Sequence, residues 1–238
     1  MMALKNKSVT LVIPGLNNKN YIRIIFLLLF LLPGCTQMDK HKDIQFTTAD
    51  DITIYGDLYG GGEKAIILLH MFTVTRKTWS DFSPELQKKG YTVLAIDLRG
   101  HGESDLDYEE FSEDDFNNII LDAEAAKNFL GKERVAVIGA SIGANTALRF
   151  ASEVDAIVAL SPGLDYKGID AEAAAGSVQV PTLIVVSSED TYSAKSSEKL
   201  KSLIGGSELK IYSDKGHGTK MLDRETKDFI LNWLEENF

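Results

Sequence analysis

Cysteine is nearly missing from this chain. Its 238 residues hold one, Cys35, so no intramolecular disulfide can form and no thiolate cluster can bind a metal. Histidine is scarce as well: His41, His70, His101 and His217 lie far apart, at no metal-ligand spacing, and neither a metal nor an organic cofactor is expected. Positive charge is also short, with 25 Lys and Arg against 35 Asp and Glu and a formal net charge of −10. Lys5, Lys7, Lys19 and Arg23 all fall in the first 34 residues, which contain no acid, so the remainder is more acidic still. Such a surface repels phosphate backbones and anionic headgroups, which argues against nucleic acid as a partner. The apolar run at residues 24–32 is too short to span a bilayer comfortably.

That run has a different meaning in its context. Basic residues, an apolar stretch and then Pro33, Gly34 and Cys35 follow the order of a secretory signal. Leu32-Pro-Gly-Cys35 resembles the lipobox of bacterial lipoproteins, although Pro33 is atypical of it. The resemblance implies that Cys35 is diacylated and becomes the mature N-terminus, two acyl chains being enough for stable membrane attachment. Residues 1–34 are then processing sequence, 35–43 a tether and 44–238 one folded domain at the cell envelope. An uncleaved anchor helix with an incidental cysteine is the alternative.

Within the body, residues 44–48 and 52–59 alternate apolar and polar side chains around a turn at 49–51, as an antiparallel hairpin does. From Gly60 onward the pattern changes to short, continuous apolar runs at 65–69, 92–96, 135–138, 156–160 and 182–186, with a weaker run at 209–212. Strands apolar on both faces are parallel strands covered by helices. Helices are expected at 78–89, 112–130, 142–152, 194–203 and 219–236. The fold class is therefore α/β, a mostly parallel sheet with an N-terminal antiparallel hairpin and helices on both faces. About twenty residues between Leu160 and Thr182, including Tyr166, are enough for a small flap but not for a lid domain.

The run ending at Ile138 leads straight into Gly139-Ala-Ser-Ile-Gly143. G-x-S-x-G between a buried strand and a helix is the nucleophile elbow, whose tight turn strains the serine and demands small neighbours. Ser141 then projects from the C-terminal edge of the sheet. A serine hydroxyl needs a base, and this arrangement runs serine, acid, histidine along the chain. Only His217 follows Ser141. The acid must hold the imidazole from a strand end between the two, which leaves Asp190, its neighbour Glu189, and Asp165. Oxyanion donors are expected from the amide of Ile142 and from the loop after residue 69, at Phe72 or Met71. Met71, Phe72 and Trp79 are candidate walls of the substrate pocket.

These residues resemble the α/β-hydrolase superfamily, over nearly the whole body from Thr48 to Phe238. Leu68-L-H-M-F72, Asp97-L-R-G-H-G102, the elbow, Ser188-E-D190 and Gly216-H-G218 match in register. The resemblance favours Asp190 as the acid and makes His101 a turn residue. It implies a minimal-lid, esterase-like serine hydrolase cleaving a small carboxylic ester or thioester through an acyl-enzyme. Met71 stands where most relatives carry glycine. An aminopeptidase or amidase on the same three residues is the alternative chemistry, and an inactive hydrolase-derived binding module the alternative class.

Overall fold

The computed structural model describes residues 41–238, so the expected signal segment at 1–34 and Cys35 lie outside the described residues. Strand β1 (Lys42–Thr47) pairs antiparallel with β2 (Thr53–Tyr59), and β2 pairs antiparallel with β4 (Thr92–Ile96). The first strand starts two residues earlier than its alternation suggested, because Lys42 and Asp43 pair with Leu58 and Asp57. Strands β3 (Ala65–Leu69), β4, β5 (Val135–Ala140), β6 (Ala156–Leu160), β9 (Thr182–Ser187) and β10 (Glu208–Tyr212) are mutually parallel. The eight-stranded order is β1-β2-β4-β3-β5-β6-β9-β10.

Side chains alternate across this sheet and build two cores. Ile67, Leu69, Leu94, Val137 and Ile157 face α3 (Ile119–Leu130) and α4 (Ile142–Arg149), whereas Ile66, Leu68, Val93, Ile138 and Val158 face the opposite layer with Leu86 and Trp233. Each such side chain, fully buried, contributes roughly 1.5–3 kcal/mol. Strands β3, β4, β5, β6 and β9 are buried along their whole length; β10 at the edge is not.

The helices depart from their expected limits for local reasons. Residues 76–79 form a 3-10 turn, and α1 (Ser83–Lys88) starts only at Ser83, with Pro84 in its first turn, where it is tolerated because it has no amide hydrogen to satisfy. A Ser112/Asp115 capping box opens α2 (Glu113–Asn117), and Asn118 separates it from α3. A 3-10 turn occupies 218–221, so α7 (Arg224–Asn237) begins after Asp223, whose carboxylate accepts the Thr226 amide at 2.9 Å.

The stretch after β6 is more ordered than a loose flap. Two-residue strands β7 (Asp165–Tyr166) and β8 (Ile169–Asp170) form a hairpin that leads into α5 (Ala171–Ala175). Asn145 of α4, fully buried, donates to the Ile169 carbonyl at 2.8 Å and accepts the Gly163 amide at 3.0 Å. Tyr192, in α6 (Thr191–Leu203), donates to the Asp165 carbonyl at 2.8 Å. The insertion is thus fastened to the helix that follows Ser141.

Candidate active site

The tight turn at residues 139–143 is a physical necessity of the backbone. A Cβ on Gly139 would lie 2.1 Å from the Gly143 carbonyl oxygen, and one on Gly143 would lie 2.4 Å from that of Leu69. Between them Ser141 takes φ 53° and ψ −115°, an unusual conformation for a residue with a side chain. Ser141 is 6% exposed, at the C-terminal end of β5.

His217 follows β10 in a loop held from two directions. The Gly218 amide donates to Ser161 Oγ at 3.0 Å, and Ser161, at the end of β6, is itself buried with φ 49°. A Cβ on Gly218 would stand 3.5 Å from Ala140 Cβ and 2.9 Å from Met71 Sδ. The residue after the histidine therefore rests on the residue before the serine.

His217 Nδ1 donates to Asp190 Oδ2 at 2.5 Å. Asp190 occupies the N-cap position of α6 yet makes no side-chain cap there. Burial pushes its carboxyl up, but the neighbouring Ser193 and Ser161 hydroxyls and the bonded His217 outweigh this and hold it below the ordinary carboxylate range. Glu189 points elsewhere. It accepts from Ser187 Oγ at 2.6 Å, Ser188 Oγ at 2.9 Å and the Asp214 amide at 2.7 Å, which ties the end of β9 to the start of the histidine loop and lowers its carboxyl to about 2. Asp165 accepts the Gly168 amide at 2.7 Å and closes the hairpin turn.

The loop after β3 is set by two buried imidazoles. The Leu98 amide donates to His70 Nε2 at 3.0 Å, so the ring hydrogen sits on Nδ1 and is donated to the Met71 carbonyl at 2.7 Å. Burial lowers His70 to about 3, which keeps it neutral. His101 repeats the pattern, accepting the Thr73 amide at 3.3 Å and donating to the Arg99 carbonyl at 2.8 Å. Among the described residues no acceptor takes the amides of Met71, Phe72 or Ile142.

Met71 and Phe72 diverge: Met71 packs under the histidine loop, while Phe72 lies edge-on to Tyr108 with Lys167 Nζ 4.8 Å from its ring centre. Trp79 does not line the site. It is fully buried with Phe82 and Leu86, and its side chain presents no surface to a small molecule. An open cleft of about 330 Å³ adjoins the histidine, lined by Glu189, Asp190, Gly216, His217 and Lys220.

Sequence reading passed over Tyr166 as a contact of the site and did not single out Ser193. Tyr166 lies edge-on to His217, with ring centres 6.3 Å apart, and its hydroxyl is 2.9 Å from Ser193 Oγ. No local signal marks either residue, because a two-residue strand and a helix interior bring them there.

One group of possible metal ligands occurs among the described residues, His41, Asp43 and Asp57. Asp57 already accepts from Arg76 at 2.7 Å and from Lys77 at 2.9 Å, and two cations beside it disfavour a third.

A strained serine after a central parallel strand, with an Asp-paired histidine on a later loop beside it, sits on an eight-stranded sheet of this order. The fold is that of the α/β-hydrolases. A family model for the alpha/beta hydrolase fold matches residues 64–172. The chain superposes on an esterase of Pyrococcus furiosus, Pf2001, with a TM-score of 0.70, 24% identity, and coverage of 83% of this chain and 92% of that one. It superposes on the esterase EaEST of Exiguobacterium antarcticum with a TM-score of 0.67, 14% identity, and coverage of 82% and 98%. In sequence it is 29% identical over 119 residues to the AB hydrolase superfamily protein YisY of Bacillus subtilis, covering 48% of this chain and 43% of that protein. It is 39% identical over 92 residues to the mouse serine hydrolase BPHL, covering 37% and 31%. The match spans less than half the length of these curated relatives. Among the described residues, no helix is long and apolar enough to cross a membrane.

Proposed function

We propose that the protein is a serine hydrolase that cleaves a small carboxylic ester or thioester through an acyl-enzyme. The observation that carries this reading is the 2.5 Å His217–Asp190 bond on a loop seated against the Ser141 elbow. Ser141 Oγ attacks the acyl carbon while His217 Nε2 takes its proton, and the same nitrogen returns that proton to the departing alcohol or thiol. Water then attacks the acyl-serine with His217 again as base, releasing the acid and restoring the serine. Asp190 keeps the ring hydrogen on Nδ1 and stabilises the imidazolium. The free amides of Ile142 and Phe72, with Met71 as the other loop donor, receive the oxyanion, each hydrogen bond contributing roughly 2.7–4 kcal/mol to the transition state. Phe72 and Met71 wall the acyl side of the pocket.

A fluorophosphonate probe tests the reading. It is expected to label wild-type protein at Ser141 and to leave Ser141→Ala unlabelled, with p-nitrophenyl acetate turnover lost in the variant. Full turnover by Ser141→Ala would overturn it.

We further propose that Cys35 carries a lipid anchor that holds the domain at the cell envelope, a reading supported by Leu32-Pro-Gly-Cys35 alone. Cys35→Ser is expected to abolish acyl labelling and release the domain from membranes; unchanged membrane attachment would overturn it.

A further inference from the structure

Local propensity and structure disagree at the tip of the hairpin beside the site. Lys167 and Gly168 join β7 to β8 as a two-residue loop, and both take positive φ, 55° and 86°. Such a turn favours asparagine, aspartate or glycine at its first position, because these reach the left-handed region at least cost. Lysine stands there instead. A costly residue where cheaper ones would serve directs attention to its side chain.

That side chain reaches the opposite wall of the site. Lys167 Nζ lies 4.8 Å from the centre of the Phe72 ring and 5.0 Å from that of Phe116. Phe72 belongs to the loop after β3 and has a free amide, and Tyr166, one residue before the lysine, lies edge-on to His217. Two ring faces thus hold the ammonium on the acyl side of the site, with its N–H donors unspent.

Its charge is also unmatched. Lys77, Lys89, Lys127, Lys215 and Lys227 each pair with a carboxylate. Lys167 is exposed and, among the described residues, makes no ion pair and no hydrogen bond through Nζ. Two acids flank the turn without bonding the ammonium: Asp165 accepts the Gly168 amide at 2.7 Å, and Glu113 of α2 packs against Gly168. Across the site, Asp190 is bonded to His217, and Glu189 to Ser187, Ser188 and the Asp214 amide. A chain with 35 acids and 25 bases has kept this cation free of them.

We propose that Lys167 is a specificity-determining residue that binds a carboxylate at the far end of the acyl group, so that half-esters and half-thioesters of dicarboxylic acids are the preferred substrate class. The proposal rests on the serine-hydrolase reading and deepens it. An acyl carbonyl received by the Ile142 and Phe72 amides runs its chain along the Phe72 ring, and that ring leads to the ammonium. Because the rings already hold the lysine, little side-chain freedom is lost when the carboxylate arrives. The contact is the same before and during the reaction, so it lowers KM and does not raise kcat.

Mono-p-nitrophenyl adipate and p-nitrophenyl hexanoate carry the same chain, ending in a carboxylate or a methyl group. The ratio of their kcat/KM values is the readout. Lys167→Asn removes the cation with a residue suited to the left-handed turn, so the hairpin is kept, and the ratio is expected to fall about fivefold through the KM of the charged ester. Lys167→Arg is expected to retain most of the preference, and added salt to weaken it in the wild type. An unchanged ratio in Lys167→Asn would overturn the proposal and leave the lysine as a cover for two rings. A fall confined to Lys220→Met, the lysine in the cleft beside His217, would overturn it as well. Calorimetry separates this proposal from the reading beneath it: monomethyl adipate is expected to bind Ser141→Ala about fivefold more tightly than the Ser141→Ala/Lys167→Asn double variant. Absent turnover with that difference retained would sink the hydrolase reading and keep the carboxylate site; turnover with an unchanged ratio would do the reverse.

Discussion

The Ser161 hydroxyl accepts the Gly218 amide at 3.0 Å, and through this bond the end of β6 sets the height of the histidine loop above the elbow. Ser161→Ala removes the acceptor of a buried amide, which costs about 1–3 kcal/mol of stability. With His217 less well held, kcat for p-nitrophenyl acetate is expected to fall about tenfold with KM little changed. Steady-state kinetics and urea denaturation check both parts; unchanged kcat would show that the loop is held without Ser161.

Asp190 and its neighbour Glu189 separate by role. Asp190→Asn forces the wrong hydrogen-bond pattern on His217 and is expected to reduce kcat by about 10⁴-fold with the fold intact. Glu189→Gln loosens the tie between β9 and the Asp214 amide, lowering thermal stability while retaining most of the activity. Equal loss of activity in the two variants would contradict the division.

The elbow glycines tolerate no side chain. Gly143→Ala places a methyl 2.4 Å from the Leu69 oxygen, a backbone atom that can move only with its strand, and is expected to destabilise by about 3 kcal/mol or more. Gly176→Ala has open space around the new methyl and an ordinary backbone angle, and is expected to be neutral or slightly stabilising. Urea midpoints of the two variants give the comparison directly.

Acid should unfold the domain in a defined window. Asp50 beside Arg99, Asp223 beside Lys215, and Glu189 among its hydroxyls are each lowered to about 2 from ordinary values of 3.8, 3.8 and 4.5. Depressed carboxylates add stability that is fully present above the unfolded values and disappears as pH falls through the folded ones. The melting temperature, measured by calorimetry, is expected to drop most steeply between about pH 4.5 and 2, where these carboxylates add to a loss that His70, held neutral in the fold, begins below about pH 6.5. A flat profile across that window would contradict these pairings.

Much of the fold could be read from short apolar runs. Residues 65–69, 92–96 and 156–160 are strands at the expected limits, because continuous burial on both faces leaves no freedom of register. Helix limits were less legible where a 3-10 turn, Pro84 or Asn118 redirected the chain. Ser141 and His217 stood out because strained turns need glycine and one histidine follows the serine. Tyr166, Ser193, Ser161 and Asn145 carried no such mark: each acts through partners 18 to 57 residues away, set by how the layers stack. Trp79 misled for the opposite reason, since a large apolar side chain near a loop reads alike whether it faces a ligand or the core.

The fastening of the β7–β8 hairpin to Asn145 and Tyr192 has a consequence for how molecules would be chosen. A hairpin so fastened, with Tyr166 edge-on to His217, resists closing over a bound molecule, so discrimination would come from size, shape and charge, with little contribution from a gating motion. Variation in this short segment would then retune what is admitted while the chemistry beneath it stays the same.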